Sequence, residues 1–297
     1  MRLGFPPRAN HWCSVNQLGS SVTIKPKMNQ ANKVKVGAVS YLNTKPLIES
    51  LESRNEQIEL SLEIPSRLAS KLQNGELDIA LIPSVEAFRI SGAKVLSDAC
   101  IGCRGPVWSV KLVSRLPFSE IKTLALDEGS RTSIGLTRIL LHKRFGIEPR
   151  VSTLPIDRSP NEFDCDAALV IGDRAMHLSD SDFKYHWDLG EEWCNWTGLP
   201  FVFAMWVTTA EAPCPDLIQA FSSARDFGVS QIEQIAKREA SNFQLSVESC
   251  TRYLREHLNF YIGENERAAI ERYQTYLFEL NLIPKPEKLQ FYECQTS

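Results

Sequence analysis

Apolar positions follow two spacings in the first third of the chain. Short or alternating apolar runs predict strands at 34–39, 58–65 and 77–83. Apolar residues at helical spacing follow two of these strands, in 45–53 and 66–75. Strands that alternate with helices predict parallel βαβ units with right-handed crossovers.

The same order of elements returns downstream. A strand is predicted at 123–126, a polar turn at 127–133, a helix at 134–146 that ends at a glycine, and a strand within 165–175. The chain therefore contains two units of similar plan. Two apolar, aromatic segments, 105–115 and 199–209, suit strands that cross from one unit to the other.

The predicted fold class is α/β. It consists of two lobes, each a small doubly wound sheet with flanking helices, joined by two crossing hinge strands. We assign 34–110 with 205–297 to lobe 1 and 111–204 to lobe 2, and we expect 1–33 to be a disordered extension. Apolar residues recur at helical spacing from about residue 214 towards the end of the sequence. This pattern predicts a helical tail that packs on lobe 1.

Charge and composition exclude several classes of partner. The net charge of -3 and the pI of about 6.0 give no basic excess for binding nucleic acid. No apolar run is long enough to span a bilayer, and the first residues lack the apolar core of a secretory signal, so we expect a cytoplasmic protein without a membrane partner. No pattern indicates an oligomeric state.

Eight cysteines are scattered along the chain, which favours reduced thiols over a disulfide framework. The segment Cys100–Ile101–Gly102–Cys103 is a lone pair of cysteines without the second pair of a zinc site, so we expect two ordinary thiols in a turn. The sequence contains no nucleophile with a base, no phosphate loop and no metal cluster. We expect neither cofactor nor metal.

Candidate chemistry lies in the loops that follow the predicted strands, because ligands of open α/β sheets bind beyond the carboxyl ends of strands. Two of these loops run into helix starts, which attract anions. The polar residues at the two starts are Ser40, Asn43 and Thr44, and Ser130, Arg131, Thr132 and Ser133. Such residues also occur as ordinary helix caps, and that alternative stays open for each turn.

Two carboxylates, Glu86 and Asp173, follow strands and are the candidates for general acid or base chemistry and for contacts to a bound ligand. Each also suits a purely structural role, since an acidic residue at a strand end often caps the next helix.

Four segments resemble the MqnA family, the chorismate dehydratases of the futalosine route to menaquinone: "VGAVSYLNTKPL", "PSRLASKLQNGELDIALIPSVE", "DEGSRTSIGLTRILL" and "LPFVFAMWV". The resemblance runs from about residue 34 to about residue 279. It implies a type II periplasmic-binding-protein-like clamshell, in agreement with the two-lobe prediction, and a cytoplasmic enzyme without a cofactor.

The implied substrate is chorismate and the implied product 3-[(1-carboxyvinyl)oxy]benzoate. As hypotheses, Ser84, Ser130, Arg131, Thr132 and Ser133 bind carboxylate and hydroxyl groups. Ser40 and Asn43 lie nearest the ring as catalytic residues. An amide is no base at neutral pH, so the proton acceptor is left open between Glu86, Asp173 and the enolpyruvyl carboxylate of the substrate.

Two alternative hypotheses for the function stay open. A clamshell without a clear catalytic base would also suit a non-enzymatic binding protein or sensor for an aromatic or dicarboxylate ligand. The sister enzyme of the pathway, which acts on cyclic dehypoxanthinylfutalosine, shares the fold, although "SYLNTKPL" favours the dehydratase.

Overall fold

The computed structural model describes residues 33–292, except 52, 54–55, 179–182, 211–214 and 286. The predicted disordered extension, 1–33, lies outside the described residues except for its last residue. Within the described part of the chain, no helix is both long and apolar enough to cross a membrane.

Twelve strands and ten α-helices are described, and they alternate over much of the chain. The strands are β1 (Val34–Val39), β2 (Ile58–Glu63), β3 (Ile79–Pro83), β4 (Lys94–Cys103), β5 (Val110–Ser114), β6 (Thr123–Asp127), β7 (Arg150–Leu154), β8 (Ala167–Ile171), β9 (Tyr185–Asp188), β10 (Phe201–Thr208), β11 (Asn259–Tyr261) and β12 (Gln290–Phe291). The helices are α1 (Lys45–Ile48), α2 (Pro65–Gln73), α3 (Ser84–Ala87), α4 (Arg131–Phe145), α5 (Asp173–Met176), α6 (Leu189–Thr197), α7 (Pro215–Ser230), α8 (Ile232–Glu239), α9 (Val247–Arg252) and α10 (Glu264–Glu279).

The strands form two sheets. One has the order β11-β4-β10-β3-β1-β2, with β12 beside β4, and the other has the order β7-β6-β8-β5-β9. Strand β1 is parallel to β2 and β3, and β6 is parallel to β7 and β8, as the βαβ pattern predicts. We call the part built on the first sheet the first lobe and the part built on the second sheet the second lobe.

Antiparallel strands complete both sheets, and the sequence pattern did not predict this pairing. Strand β10 is antiparallel to β3 and β4, and β5 is antiparallel to β8 and β9. Each lobe therefore contains the predicted parallel βαβ strands together with antiparallel neighbours. The helical tail is also interrupted by β11 and β12, which both pair with β4.

The predicted crossing segments contain β5 and β10, but each of these strands lies within one sheet. The chain itself crosses at 104–109 and again at 189–200, which includes α6. Asp188 joins the two crossings, because its carboxylate accepts the N–H groups of Val107 (2.9 Å) and Trp108 (2.6 Å) and also caps α6. The proposed lobe limits, 34–110 with 205–297 and 111–204, stay a prediction.

The segment Cys100–Cys103 forms the end of β4 rather than the predicted turn. Both thiols are buried and free. The glycine between them, Gly102, does not end the strand, because it pairs with Val202 of β10 and with Asn259 of β11. Pairing with strands far away in the sequence therefore overrides the local turn signal.

The main apolar core runs along both sheets and continues through the long helices. Its largest fully buried side chains include Trp193, Trp206 and Tyr273. A smaller cluster around Val113, Leu154 and Phe183 packs against the second sheet. Both faces of the sheets are thus covered, as parallel βαβ units require.

Helix α7 packs unusually close to α1. A β-carbon built on Gly228 would lie 1.8 Å from the carbonyl oxygen of Pro46 and 2.7 Å from its α-carbon. Only glycine fits where backbones approach this closely. Pro46 belongs to the segment "SYLNTKPL", so the position of this polar loop depends on the contact with Gly228.

Candidate functional site

A cleft opens where the carboxyl ends of strands from both lobes meet, as expected for this class of sheet. It has about 590 Å³ of empty space, including its open mouth. Apolar walls come from Val39, Leu81, Ile101, Val107, Val110, Ile171 and Phe203. Polar side chains come from Tyr41, Asn43, Ser109, Ser130, Arg131, Thr132 and Ser133.

The start of α4 presents hydroxyl groups to this cleft. Ser130 precedes the helix, but its side chain does not cap it. Ser130 and Ser133 are both buried and line the cleft. Among the described residues, neither hydroxyl has a protein hydrogen-bond partner. With the unpaired N–H groups of the first helical turn, they form an environment suited to an anion.

Thr132 has a different role, because it fastens α4 to the first lobe. Its hydroxyl donates to the carbonyl of Phe203 (3.0 Å) and accepts the N–H of Val85 (3.4 Å). Its carbonyl accepts the hydroxyl proton of Tyr273 (2.8 Å). Its side chain is therefore occupied by structural contacts, although it lines the cleft.

Arg131 lines the cleft and is ion-paired with Glu86 of α3 at 2.9 Å. The same carboxylate binds Arg89 at 2.7 Å and is buried. Ser84 is also buried and donates to the carbonyl of Val202 (2.7 Å). Glu86 and Ser84, both predicted to bind substrate, are therefore absent from the lining of the cleft and are used to join structural elements.

Asn43 enters the cleft from a 3₁₀ turn, Leu42–Thr44, that follows β1. The helix expected directly after this loop is only four residues long, so its dipole attracts an anion weakly. Ser40, predicted beside Asn43, is exposed and does not line the cleft. The structure brings Asn43 together with Ser130, Arg131 and Ser133, but not with Ser40.

A chain of hydrogen bonds fixes the Asn43 amide. Tyr253 is buried and donates its proton to the hydroxyl of Ser109 at 2.9 Å. Tyr253 and Asn43 also share a side-chain hydrogen bond, in which the phenol must accept because its only proton is already donated. The hydroxyl of Thr44 donates to the other end of the amide, Oδ1, at 3.4 Å. The amide nitrogen is therefore the atom held towards Tyr253.

Tyr41 closes one side of the cleft between the lobes. A β-carbon on Gly172 would lie 3.7 Å from its ring, and one on Gly129 would lie 3.2 Å from its hydroxyl. Gly172 has φ of +69°, a conformation that favours glycine. Burial, together with the nearby carboxylates of Asp127 and Asp173, raises the pKa of Tyr41 to about 12, so its hydroxyl stays protonated at neutral pH.

Asp173 lies at the start of α5 behind Tyr41 and is not part of the cleft lining. Burial raises its pKa to about 6, although His177 and the N–H of Leu42, which donates to its carboxylate, both act to lower it. This hydrogen bond joins α5 of the second lobe to the turn that carries Asn43. Asp173 was predicted to bind substrate, and the structure places it between the lobes instead.

The raised pKa of Asp173 predicts a pH-dependent stability. Between roughly pH 4, where an unfolded aspartate titrates, and about pH 6, the folded state binds more protons, so its free energy of unfolding falls as pH rises. Asp173→Asn cannot ionise, so its free energy of unfolding relative to that of the original protein should rise by about 2–3 kcal/mol between these limits. Urea unfolding at about pH 4 and about pH 8 measures this change. A difference that is the same at both pH values would contradict it.

Asp127, at the end of β6, organises the turn before α4 and was missed by the sequence prediction. Its buried carboxylate accepts the N–H groups of Gly129 and Ile171 at 3.0 Å each. It also pairs with Arg174 at 2.6 Å. This buried pair places the hydroxyl-bearing turn of Ser130 next to β8.

Three cleft residues or their supports were also missed: Tyr41, Ser109 and Tyr253. Tyr41 lies inside "SYLNTKPL" and Ser109 inside the predicted crossing segment. The sequence therefore indicated that both lie near the cleft, but it gave no reason to assign either of them a role. Tyr253 lies 144 residues from Ser109 and had no such signal. In the described part of the chain, no group of His, Cys, Asp and Glu side chains is arranged to hold a metal ion.

Comparison with known proteins identifies the family of the chain. Residues 34–279 match a family described as menaquinone biosynthesis. A chorismate dehydratase of Thermus thermophilus is 30% identical over 69% of this chain and 81% of its own length. A chorismate dehydratase of Campylobacter jejuni is 24% identical over 83% and 98%.

The fold is similar to that of the periplasmic aliphatic sulphonate binding protein SsuA of Escherichia coli, with a TM-score of 0.58, 17% identity, and coverage of 89% of this chain and 95% of that one. The predicted two-lobe clamshell is thereby confirmed. The match over 34–279 also confirms the resemblance found from "SYLNTKPL" and the other segments. The chain belongs to the menaquinone biosynthesis family that includes the MqnA proteins.

Proposed function

We propose that this protein is a chorismate dehydratase, a carbon–oxygen lyase that converts chorismate into 3-[(1-carboxyvinyl)oxy]benzoate and water. One observation carries the proposal. In a chain whose relatives are named chorismate dehydratase, Asn43 and the start of α4 face the same interlobe cleft.

The cleft suits a small ring with two carboxylates. The free hydroxyls of Ser130 and Ser133, the N–H groups of α4 and the cation of Arg131 provide an anionic group with hydrogen bonds and charge. The apolar walls, which include Phe203, provide contact surface for a ring. Arg131 would bind the ligand while keeping its contact to Glu86, since a guanidinium has five N–H donors.

The reaction removes a ring proton and the neighbouring hydroxyl group, and the ring becomes aromatic. The driving force lies in the substrate, so the enzyme has to orient it, accept the proton and assist the departure of hydroxide. The Asn43 amide can donate a hydrogen bond to the departing oxygen. Because Tyr253 fixes the direction of this amide, its remaining N–H is oriented before the substrate binds.

The proton acceptor follows from what the cleft offers. Among the described lining residues there is no Asp, Glu or His. Glu86 is bound by two arginines, and Asp173 holds the N–H of Leu42. This supports the third of the acceptors considered from the sequence, the enolpyruvyl carboxylate of chorismate, over either protein carboxylate.

The proposal is tested by incubating the purified protein with chorismate. We expect a product that is lighter by one water and has the ultraviolet spectrum of a benzoate, formed without added metal or nucleotide. If chorismate stays intact but raises the melting temperature, the clamshell is a binding protein for this ligand. If it neither reacts nor stabilises, the proposed substrate is wrong.

A further inference from the structure

Two thiols meet where the chain crosses between the lobes. Cys103 is the last residue of β4 and is fully buried. Cys194 lies on α6 and is half-buried. The two thiols share a side-chain hydrogen bond, although 90 residues of sequence separate them. Cys103 directly precedes the first crossing segment, 104–109, and Cys194 lies within the second, 189–200.

The packing of α6 explains how the thiols approach each other. A β-carbon on Gly190 would lie 2.6 Å from the sulfur of Cys103, so that sulfur occupies the notch left by the glycine. Residues 190 and 194 are four positions apart and share one face of the helix. Side chains on a helix lean towards its N-terminus, which brings the sulfur of Cys194 back over this notch.

Cys194 is the accessible member of the pair. It lines an outer depression with about 820 Å³ of empty space, including its open mouth, together with Arg104, Gly105, Asn195 and Asn265. The hydrogen bond from Cys103 lowers the pKa of Cys194, while the same bond and burial raise the pKa of Cys103. An accessible thiol with a lowered pKa beside a second, protonated thiol is the arrangement found in cysteines that react reversibly with peroxide.

We propose that Cys194 and Cys103 form a peroxide-sensitive dithiol that closes to a disulfide between the end of β4 and α6 of the second crossing segment. The thiolate of Cys194 attacks one oxygen of hydrogen peroxide, the O–O bond breaks, and the released hydroxide takes up a proton to become water. The thiol of Cys103 then attacks the sulfenic sulfur, the S–O bond breaks, and a second water leaves. Two thiols are oxidised and one peroxide is reduced.

The bond would join the end of β4 to α6, beside the contact of Asp188 with Val107 and Trp108. Movement of one lobe against the other needs changes in the dihedral angles of these same segments. Oxidation therefore restricts the relative motion of the lobes. This property is independent of the ligand that the cleft binds.

The test uses the full-length protein. Treatment with hydrogen peroxide, alkylation of the remaining thiols and peptide mapping should yield one cross-linked pair of peptides containing Cys103 and Cys194, with two fewer alkylated thiols per chain. Dithiothreitol should reverse the change. Cys194→Ser should abolish the cross-link, and Cys165→Ser, which alters a buried thiol elsewhere, should leave it intact.

Two results would overturn the proposal. One is Cys194 recovered as sulfinic acid with Cys103 still a free thiol. The other is a disulfide that joins either residue to Cys13, Cys214 or Cys294 in the monomer. Mapping of the unsubstituted protein decides between these outcomes even if a variant fails to fold.

Discussion

Replacing Asn43 with alanine is expected to lower kcat for chorismate by a factor of about 10²–10³, the usual effect of removing one oriented donor from a developing negative charge. The change removes the N–H that we assign to the departing hydroxyl and leaves the apolar walls of the cleft in place. KM should change much less than kcat, because the anion contacts at Ser130, Arg131 and Ser133 remain. Steady-state kinetics measures both values.

Asn161→Ala is the matched control. Asn161 is also the middle residue of a 3₁₀ turn, but it is exposed and lies away from the cleft. The kcat of the Asn161→Ala variant should equal that of the original protein. Tyr253→Phe should give an intermediate loss, because the amide of Asn43 then keeps its atoms and loses its orienting partner. Unchanged kcat in Asn43→Ala, with the substrate still converted, would remove Asn43 from the chemistry.

Replacing Gly228 with alanine is expected to lower the free energy of unfolding by about 3 kcal/mol. In an ordinary helix the same change raises stability by about 0.5–1 kcal/mol, because alanine is the better helix former. The sign reverses here because the new β-carbon would lie 1.8 Å from the backbone oxygen of Pro46, and backbone cannot turn aside as a flexible side chain can. Urea unfolding followed by circular dichroism gives the difference.

Ser223→Ala, on the exposed face of the same helix, provides the comparison and should change stability by less than about 0.5 kcal/mol. A Gly228→Ala variant as stable as the original would mean that α1 and α7 separate at little cost. Because Pro46 follows the turn of Asn43, we also expect the variant to lose activity at temperatures where it is still folded.

The elements predicted correctly are those with local signals. Strand β1 has the predicted limits 34–39, and α4 ends at Phe145, where the predicted glycine, Gly146, caps it with a φ of +67° that favours glycine. Strands β4, β11 and β12 had no such signal. Strands β11 and β12 each pair with β4 across more than a hundred residues of sequence, so only the folded chain brings them together.

The candidate site divides in the same way. Asn43, Ser130, Arg131 and Ser133 were found because loops after parallel strands meet at one edge of a sheet. Ser84 and Glu86 satisfied the same rule, but their side chains turn to Val202 and to two arginines. The direction of a side chain depends on partners in distant elements, and a rule about strand ends contains no information on it.

The contacts between the lobes indicate how ligands would enter and leave. The start of α4 is tied to the first lobe by hydrogen bonds through Thr132 and by the pair of Arg131 with Glu86. On the side of Tyr41, the described contacts include ring packing on Gly172, the hydrogen bond from Leu42 to Asp173 and the hydrogen bond between His177 and the carbonyl of Phe243. The route into the cleft that breaks the fewest polar contacts therefore passes Tyr41. A ligand would enter and leave the cleft beside this ring.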